Sequence, residues 1–324
     1  MNLRKFGRTN WDVSEVGFGG WGIGRTWWGT TNDDESIQAL KAAWDAGVNF
    51  FDTAYVYGDG HSEELMARAL KGKEALIATK IPPKNGEWPA NSKTPPTDVF
   101  PESWIISCTE RSLKKLNRET IDLTQFHVWA DEWLANDEWK EAIAKLKTQG
   151  KIRAFGVSIN DHQPNSALAL VDSGLIDSVQ VIFNVFDQTP ADKLFPLCKK
   201  KNVGVIVRVP FDEGGLTGTF TLDTQFEKGD FRKGYFRGDN LRQTVERAEK
   251  LKGFLKEGIR TLPELALKYI LSFEEVSTVI PGMRKSSHVS ANTAVSGSEP
   301  LSPRVKKYLG AHAWPRNFYG MWDE

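Results

Sequence analysis

The sequence predicts a (β/α)8 barrel, formed by a single domain that spans residues 1–324. Eight short runs rich in apolar residues alternate with amphipathic helical patterns along the chain. The apolar runs are continuous, as expected for parallel strands that are covered on both faces. Strands that alternate with helices form either a barrel or a doubly wound sheet, and eight repeats favour the barrel.

The predicted elements follow one another in a regular order. Residues 3–19 have the pattern of a small hairpin with Gly7 and Asn10 near its turn, and we expect it to close the bottom of the barrel. The predicted strands cover residues 15–20, 49–53, 75–80, 122–127, 153–158, 178–183, 203–208 and 276–281. Helical patterns cover residues 33–47, 62–70, 102–117, 137–150, 163–174, 193–202, 240–258 and 261–272.

Three connections, at residues 19–33, 82–103 and 212–239, are longer than a usual loop and rich in aromatic residues. Long unstructured connections in compact domains are usually functional or disordered. All three follow predicted strands, so they lie at the face where barrels place their chemistry. We therefore expect the functional site at the C-terminal face.

Composition excludes several classes of function. Lys and Arg number 42 and are balanced by 42 Asp and Glu, so there is no electrostatic footprint for nucleic acid or an anionic membrane. No apolar run approaches the length of a membrane span, and the polar N-terminus lacks a signal-peptide pattern. With five histidines and no His-x-His at a strand end, a metal-dependent hydrolase is disfavoured. We expect a cytoplasmic protein without a metal, and the oligomeric state is left open.

A glycine-rich motif near the N-terminus points away from a classical dinucleotide fold. GFGGWG, residues 17–22, matches the G-x-G-x-x-G pattern. That pattern binds pyrophosphate only where a helix begins directly after it, and IGRTWWGTTND is not a helix start. The glycines instead indicate a close approach of the backbone to a ligand or a neighbouring strand.

Four polar residues stand at or just beyond predicted strand ends: Asp52, Tyr57, Lys80 and His127. In a barrel all four face one mouth, where a lysine or an aspartate is unfavourable unless it is paired. The predicted site is a phenol beside an ammonium–carboxylate pair, with an imidazole opposite. Lys80 is expected to lower the pKa of Tyr57, Asp52 to keep the lysine charged, and His127 to donate a hydrogen bond to a developing alkoxide. Such a site donates protons, so reduction also needs a hydride source.

At this point the chain resembles the aldo-keto reductase superfamily. The resemblance rests on GFGGWGIG, FFDTAYVYG, IATK, IDLTQFH, IRAFGVSI, VQVIFN, GVIVRVPFDEGGLTG and TVIPGMRKSSHVSAN, in the order of the family. It implies a barrel that binds NADPH without a Rossmann domain and reduces an aldehyde or ketone to an alcohol. It also implies Asp52, Tyr57, Lys80 and His127 as the catalytic tetrad, with Tyr57 as the general acid.

The resemblance also implies a cofactor site. Ser158 and Gln180 match positions that bind the nicotinamide carboxamide, and residues 211–218 match a loop that wraps the pyrophosphate. The full set of implied cofactor residues is Ser158, Gln180, Arg208, Gly214, Leu216, Gly218, Gly282, Arg284, Lys285, Ser286 and Asn292. The sequence departs from the family at Ile159, often Asn, at Arg208, where many relatives carry a stacking aromatic, and at Ala291, often a carboxylate.

Cofactor and substrate preferences follow from the same stretches. Arg284, Lys285 and Ser286 match the region that faces the 2′-phosphate, and no Asp or Glu occurs between Pro281 and Asn292, so NADPH is expected over NADH. The loop tryptophans Trp27, Trp88 and Trp129 are expected to line the substrate pocket.

The expected substrate is an uncharged aldehyde or ketone, either aromatic or sugar-like. The alternative is a regulatory barrel, because the superfamily includes potassium-channel accessory subunits. Retention of all four tetrad residues favours an enzyme.

Overall fold

A computed structural model describes residues 1–25, 27–29, 31–255 and 258–319. Within these residues, a two-stranded hairpin precedes a sheet of eight parallel strands that are neighbours in chain order. The hairpin and sheet strands are β1 (Leu3–Lys5), β2 (Asp12–Ser14), β3 (Phe18–Gly19), β4 (Phe50–Asp52), β5 (Leu76–Ile81), β6 (Ile121–Phe126), β7 (Ile152–Ser158), β8 (Ser178–Ile182), β9 (Gly204–Arg208) and β10 (Thr278–Val279). The predicted strands are confirmed, all eight in parallel.

The helices of the described residues surround this sheet. They are α1 (Asp33–Asp45), α2 (His61–Ala69), α3 (Pro96–Val99), α4 (Glu102–Leu116), α5 (Glu138–Thr148), α6 (Leu168–Ser173), α7 (Leu194–Lys201), α8 (Arg232–Tyr235), α9 (Asn240–Leu251), α10 (Leu262–Leu271), α11 (Ser286–Thr293) and α12 (Pro303–Gly310). In the described part of the chain, none of these helices has the length and apolar character needed to cross a membrane.

Two helices differ from the sequence prediction for physical reasons. The helix predicted over 163–174 begins only at Leu168, where the Asp131 carboxylate accepts hydrogen bonds from the backbone N–H groups of Ala169 and Leu170. That distant cap fixes the start of α6 and is invisible in the local sequence. The helix predicted to reach 258 ends at Leu251, ahead of a short 3-10 turn that contains Gly253, a poor helix former.

The sheet closes into a barrel where its first and last strands meet. Val16 and Gly19 form parallel bridges to Val279 and Gly282. A Cβ on Gly19 would lie 2.6 Å from the carbonyl oxygen of Ile280, so only glycine permits this approach. Gly17, Gly19 and Gly20 therefore allow close approach to neighbouring strands, which is one of the two alternatives that the sequence left open, whereas Gly22 lies against the Arg284 side chain.

The N-terminal hairpin seals the lower end of the barrel, as predicted. Phe6 and Val13 are fully buried and pack with the apolar residues that point into the barrel from the strands. The ring centroid of Phe6 lies 5.4 Å from that of Phe50. Burial of an aromatic side chain of this size stabilises a fold by about 1.5–3 kcal/mol. The C-terminal end is left for the three long loops, which follow β3, β5 and β9.

Candidate active site

A buried ion pair anchors the C-terminal mouth of the barrel. Asp52 is the last residue of β4, and Lys80 lies on the neighbouring β5. Lys80 Nζ donates to Asp52 Oδ1 at 2.5 Å and to the carbonyl oxygen of Thr53 at 2.8 Å. Burial lowers the pKa of Lys80, and the Asp52 carboxylate opposes that change. A pair this deeply buried is tolerated because its polar atoms are hydrogen-bonded.

Tyr57 lies in the turn that follows β4, directly above this pair. Lys80 Nζ donates to the Tyr57 hydroxyl at 3.3 Å. Burial raises the pKa of Tyr57 well above its ordinary value, and the Asp52 carboxylate raises it further. The pKa of Tyr57 is therefore raised rather than lowered as expected from Lys80, because burial of the phenol is the largest influence on it. The phenol is held in its protonated form, which is the form that can donate a proton.

His127 follows β6 and completes the tetrad. Its ring meets the rings of Tyr57 and Trp88 edge-on, with centroids 5.9 Å and 4.6 Å away. Burial, aided by the Lys80 and Arg208 cations, lowers the pKa of His127 well below its ordinary value, so the imidazole is neutral. Its Nδ1 is buried and has no hydrogen-bond partner among the described residues. A neutral imidazole can donate a hydrogen bond without adding a charge.

Two amides also converge on Asp52. Gln180 Nε2 donates to Asp52 Oδ2 at 2.7 Å, and Gln125 Nε2 reaches the same oxygen at 3.4 Å. Gln180 was expected to contact a cofactor, and it lies beside Ser158 in the register of β7 and β8. Gln125 was missed, although a buried amide inside the apolar run of β6 was a signal that could have found it.

Arg208 ends β9 and is tied to the loop after β7. Its Nη2 donates to Asp161 Oδ1 at 2.7 Å and to the carbonyl oxygen of Ile159 at 2.9 Å, while its Nε is buried without a partner among the described residues. The charge of Arg208 acts on both Tyr57 and His127, which places it at the same mouth. Asp161, which fixes this guanidinium, was not identified from the sequence.

The loop after β9 is held by the C-terminal segment. Arg316 forms an ion pair with Asp212, and the Tyr319 hydroxyl donates to Glu213. Both acidic residues have positive φ, at 51° and 54°. Burial raises the pKa of Glu213 to about 8. The contribution of the C-terminal segment was not anticipated.

Within this loop the three residues implied in pyrophosphate binding are Gly214, Leu216 and Gly218. The two glycines have φ of 104° and 74°, and a Cβ on Gly214 would lie 2.7 Å from the ring of Phe220. Leu216 is buried in the core. The tight backbone path therefore depends on glycine at both positions.

The segment after β10 carries the remaining implied cofactor residues. Gly282 pairs with β3, Lys285 and Ser286 are exposed at the start of α11, and Asn292 is buried. Arg284 Nη1 donates to the carbonyl oxygen of Trp28 at 3.2 Å.

The electrostatics around Arg284 differ from the sequence argument. Burial and the nearby Arg232 cation lower the pKa of Arg284, while the carboxylates of Asp230, Glu227 and Glu35 oppose that change. The absence of Asp and Glu between Pro281 and Asn292 was therefore an incomplete guide, because carboxylates from α1 and from the loop after β9 also act on Arg284.

The three predicted substrate tryptophans have different positions. Trp88 is about half exposed and covers His127, and Trp27 is exposed in the loop after β3. Trp129 is fully buried, donates from Nε1 to Asp131, and packs among Phe126, Trp133 and Trp139 behind the strand. The structure thus gives no support to Trp129 as a substrate contact.

Trp21 is an aromatic residue of the mouth that the sequence argument passed over. Its ring is stacked beside Tyr57, with centroids 6.2 Å apart. It also packs against Trp28 and Phe231, so the loops after β3 and β9 meet above the phenol. The mouth is consequently walled by Trp21 on one side and Trp88 on the other.

Comparison with known proteins gives consistent matches. The family model described as "Aldo/keto reductase family" matches residues 15–313. Aldo-keto reductase YhdN of Bacillus subtilis (strain 168) is 29% identical over 305 residues, covering 92% of this chain and 89% of that protein. The NADH-specific methylglyoxal reductase of Escherichia coli (strain K12) is 27% identical over 307 residues, covering 91% and 93%. The solved structure of the glycerol dehydrogenase AKR11B4 from Gluconobacter oxydans matches with a TM-score of 0.79 and 30% identity, covering 96% of this chain and 94% of that one.

Proposed function

This chain belongs to the aldo/keto reductase family of oxidoreductases, and we propose that it is a cytoplasmic enzyme that reduces an aldehyde or ketone to an alcohol with NADPH. One observation carries the proposal. The Tyr57 hydroxyl receives a hydrogen bond from Lys80, which also donates to the Asp52 carboxylate, and the neutral ring of His127 meets the Tyr57 ring edge-on. A protonated phenol in such a setting is suited to give its proton to a carbonyl oxygen.

The chain's own residues supply the proton and stabilise the charges of the reaction. A bound reduced nicotinamide supplies the hydride, which none of these side chains can provide. Tyr57 donates its proton to the carbonyl oxygen, and the phenolate that remains is stabilised by Lys80 at 3.3 Å. His127 donates a hydrogen bond to the same oxygen as negative charge develops there. Asp52 holds Lys80 in place and keeps it charged.

The unpaired polar atoms of the mouth fit a nicotinamide dinucleotide. The amide oxygen of Gln180 accepts no hydrogen bond from the described residues, and Arg208 Nε is buried without a partner among them. Gln180 and Ser158 would hold the carboxamide, and Arg208 would lie near the ring. The backbone N–H groups of residues 214–217 already donate to carbonyl oxygens within the loop, so Gly218 is the position that we propose to offer a backbone N–H to phosphate oxygens. Leu216, Gly282 and Asn292 complete the proposed contacts.

NADPH is proposed over NADH because two cations and a helix start come together. Arg284 and Lys285 directly precede α11, whose first N–H groups and dipole favour an anion. Ser286 adds a hydroxyl at the same point. The carboxylates of Glu35, Glu227 and Asp230 act against an added phosphate. We expect the cations to prevail, because Arg284 offers a fork that matches phosphate oxygens.

The proposed substrate is an uncharged carbonyl compound. Trp21 and Trp88 offer aromatic walls on either side of Tyr57 and His127. Arg208 is neutralised by Asp161, which disfavours its use in holding a carboxylate substrate. The similar proteins described as a methylglyoxal reductase and a glycerol dehydrogenase act on small carbonyl or polyol compounds, so small aldehydes and sugar-like ketones are the first to test.

A panel of aldehydes and ketones, followed through the absorbance of NADPH and of NADH, tests the proposal. We expect turnover of an uncharged carbonyl, and binding of NADPH detected by quenching of tryptophan fluorescence. If no carbonyl is reduced and a membrane partner is recovered by pull-down, the regulatory alternative replaces the enzyme.

A further inference from the structure

The two oxygens of Asp52 have different partners. Oδ1 takes the Lys80 ammonium at 2.5 Å, while Oδ2 takes the amide nitrogens of Gln180 at 2.7 Å and Gln125 at 3.4 Å. The three donors come from β5, β6 and β8, so the carboxylate is contacted from three directions inside the barrel. Gln125 is also the direct register partner of Lys80 on the neighbouring strand.

The chemistry of the groups fixes the orientation of both amides. An ionised carboxylate can only accept hydrogen bonds, so each glutamine must turn its NH₂ toward Asp52 and its oxygen away. The oxygen of Gln125 is then buried without a partner in the described part of the chain. Leaving a buried acceptor unsatisfied is unfavourable by about 1–3 kcal/mol. An apolar side chain would fill this position more stably, so the amide points to a role other than packing.

A rotation that turned the Asp52 carboxylate out of its present plane would break both amide contacts. From this geometry we infer that Gln125 is a positioning residue of the reaction, which together with Gln180 holds the Asp52 carboxylate in the plane that directs one of its oxygens at Lys80. The inference rests on the proposed function. The same geometry gives Gln180 two contacts. Its nitrogen donates to Asp52, and only its oxygen is left to accept from a donor such as a carboxamide NH₂.

The effect of Gln125 passes to the substrate through Asp52, Lys80 and Tyr57 in turn. Loss of its donor leaves Oδ2 with Gln180 alone and gives the carboxylate more rotational freedom. Lys80 would then be aimed less well at the Tyr57 hydroxyl, so kcat should change more than KM. The charged or titratable side chains that act on this part of the mouth are Tyr57, Lys80, His127, Arg208, Asp161, Glu213 and Glu63.

The first test compares Gln125→Leu with Thr124→Val, its matched control. Thr124 is the adjacent residue of β6, and its buried hydroxyl has no partner among the described residues. Gln125→Leu should lower kcat about tenfold, the effect of one hydrogen bond to a charged group, with little change in KM or NADPH affinity. Thr124→Val should leave all three unchanged. Equal kcat in the two variants would overturn the inference.

Gln125→Glu separates positioning from a structural role. Its carboxyl can donate an O–H to Asp52 at acid pH, whereas the ionised form repels Asp52 at higher pH. The kcat of this variant should therefore approach that of the wild type at acid pH and fall away from it as pH rises. A kcat ratio of variant to wild type that is constant with pH would count against the inference.

A third measurement needs no turnover. In spectra of the ¹⁵N-labelled protein, the side-chain NH₂ signal of Gln125 is identified by its loss in Gln125→Leu. It should shift in Asp52→Asn and stay in place in Thr124→Val. A signal that does not move in Asp52→Asn overturns the contact itself. A shift combined with no reduction of any carbonyl instead refutes the proposed function and leaves the contact established.

Discussion

The lower and upper ends of the barrel interior are built from the same strands but differ in character. The lower layer contains Phe50, Ala78, Leu123 and Ile206, and the upper layer contains Asp52, Lys80, Gln125 and Arg208. Each upper residue stands two positions after a lower one on its strand, because alternate residues of a strand face the same side. Two residues along each of these strands therefore separate an apolar interior side chain from a polar one.

The two layers satisfy their side chains in different ways. The lower layer is closed by Phe6 of the hairpin, and its apolar residues need no partners, although Ser178 Oγ on β8 and Thr278 Oγ1 on β10 are also buried without partners among the described residues. In the upper layer Asp52, Lys80 and Gln125 are buried just as deeply, whereas Arg208 is partly exposed. The buried atoms Gln125 Oε1, Arg208 Nε and, beside this layer, His127 Nδ1 have no partners among the described residues. Unsatisfied buried atoms lower stability and are retained where a ligand or a reaction needs them. We therefore propose that the lower layer serves stability and that the upper layer serves catalysis.

The largest expected effect comes from the upper end. Tyr57→Phe removes only the hydroxyl and leaves the ring beside Trp21, so the fold should be unaffected. Loss of a general acid should reduce kcat by about 10²- to 10⁴-fold. Stopped-flow or steady-state kinetics measure this, and NADPH affinity and Tm should stay close to those of the wild type. Retention of more than about a tenth of kcat would contradict the role given to Tyr57.

The complementary change at the lower end should affect stability alone. Phe6→Ala removes a fully buried ring that packs on Phe50 and Gly204. The free energy of unfolding should fall by about 3–5 kcal/mol, as is usual for this truncation in a core. Phe6→Leu, as the control, should lose less. Urea unfolding gives the stabilities, and kcat per folded molecule should not change. A matching loss of kcat would mean that the two ends are coupled.

The sequence was sufficient for those parts of the structure that depend on local signals. Each strand is itself an apolar run in the sequence. Each of Asp52, Tyr57, Lys80 and His127 lies at the end of such a run or just beyond it. Contacts between residues distant in the chain were missed, such as Arg208 with Asp161 and Glu213 with Tyr319, because no local pattern encodes them. Trp129 was misplaced since its position just after β6 does not reveal that it faces the helices.

The sequence also could not predict whether the pKa of Tyr57 is raised or lowered. The sequence shows a lysine near the phenol, which alone would lower that pKa. Burial, which acts in the opposite direction and dominates here, depends on how the loops after β3 and β9 pack over the ring. Whether a nearby charge or burial determines the pKa of Tyr57 can be decided only once the packing around its ring is known.

Cofactor selection at the mouth should be a smaller effect than loss of the acid. Arg284→Ala removes a cation next to the start of α11 and should reduce the preference of kcat/KM for NADPH over NADH by at least about tenfold, the contribution of one charged hydrogen bond. The loss should appear in KM for NADPH, with little change for NADH. Lys285→Ala, at an exposed position, is the comparison and should have a weaker effect. If Arg284→Ala left the ratio of kcat/KM for NADPH to kcat/KM for NADH unchanged, the 2′-phosphate would not bind at this segment.

The smallest expected effect tests whether the mouth also governs stability. Burial raises the pKa of Glu213 to about 8 from its ordinary value of 4.5, so the folded protein holds a proton that the unfolded chain releases. The associated stability is complete at acid pH and is lost as pH rises through about 8. Glu213→Gln cannot ionise and still accepts the hydrogen bond from Tyr319, so its Tm relative to the wild type should rise between about pH 5 and about pH 8 and level off above that. Thermal unfolding measures this, with the exposed Glu299→Gln as a control that should show no such trend. A Tm difference independent of pH would show that Glu213 is ionised in the folded protein, and that the Tyr319 hydroxyl donates to a carboxylate rather than to a neutral acid.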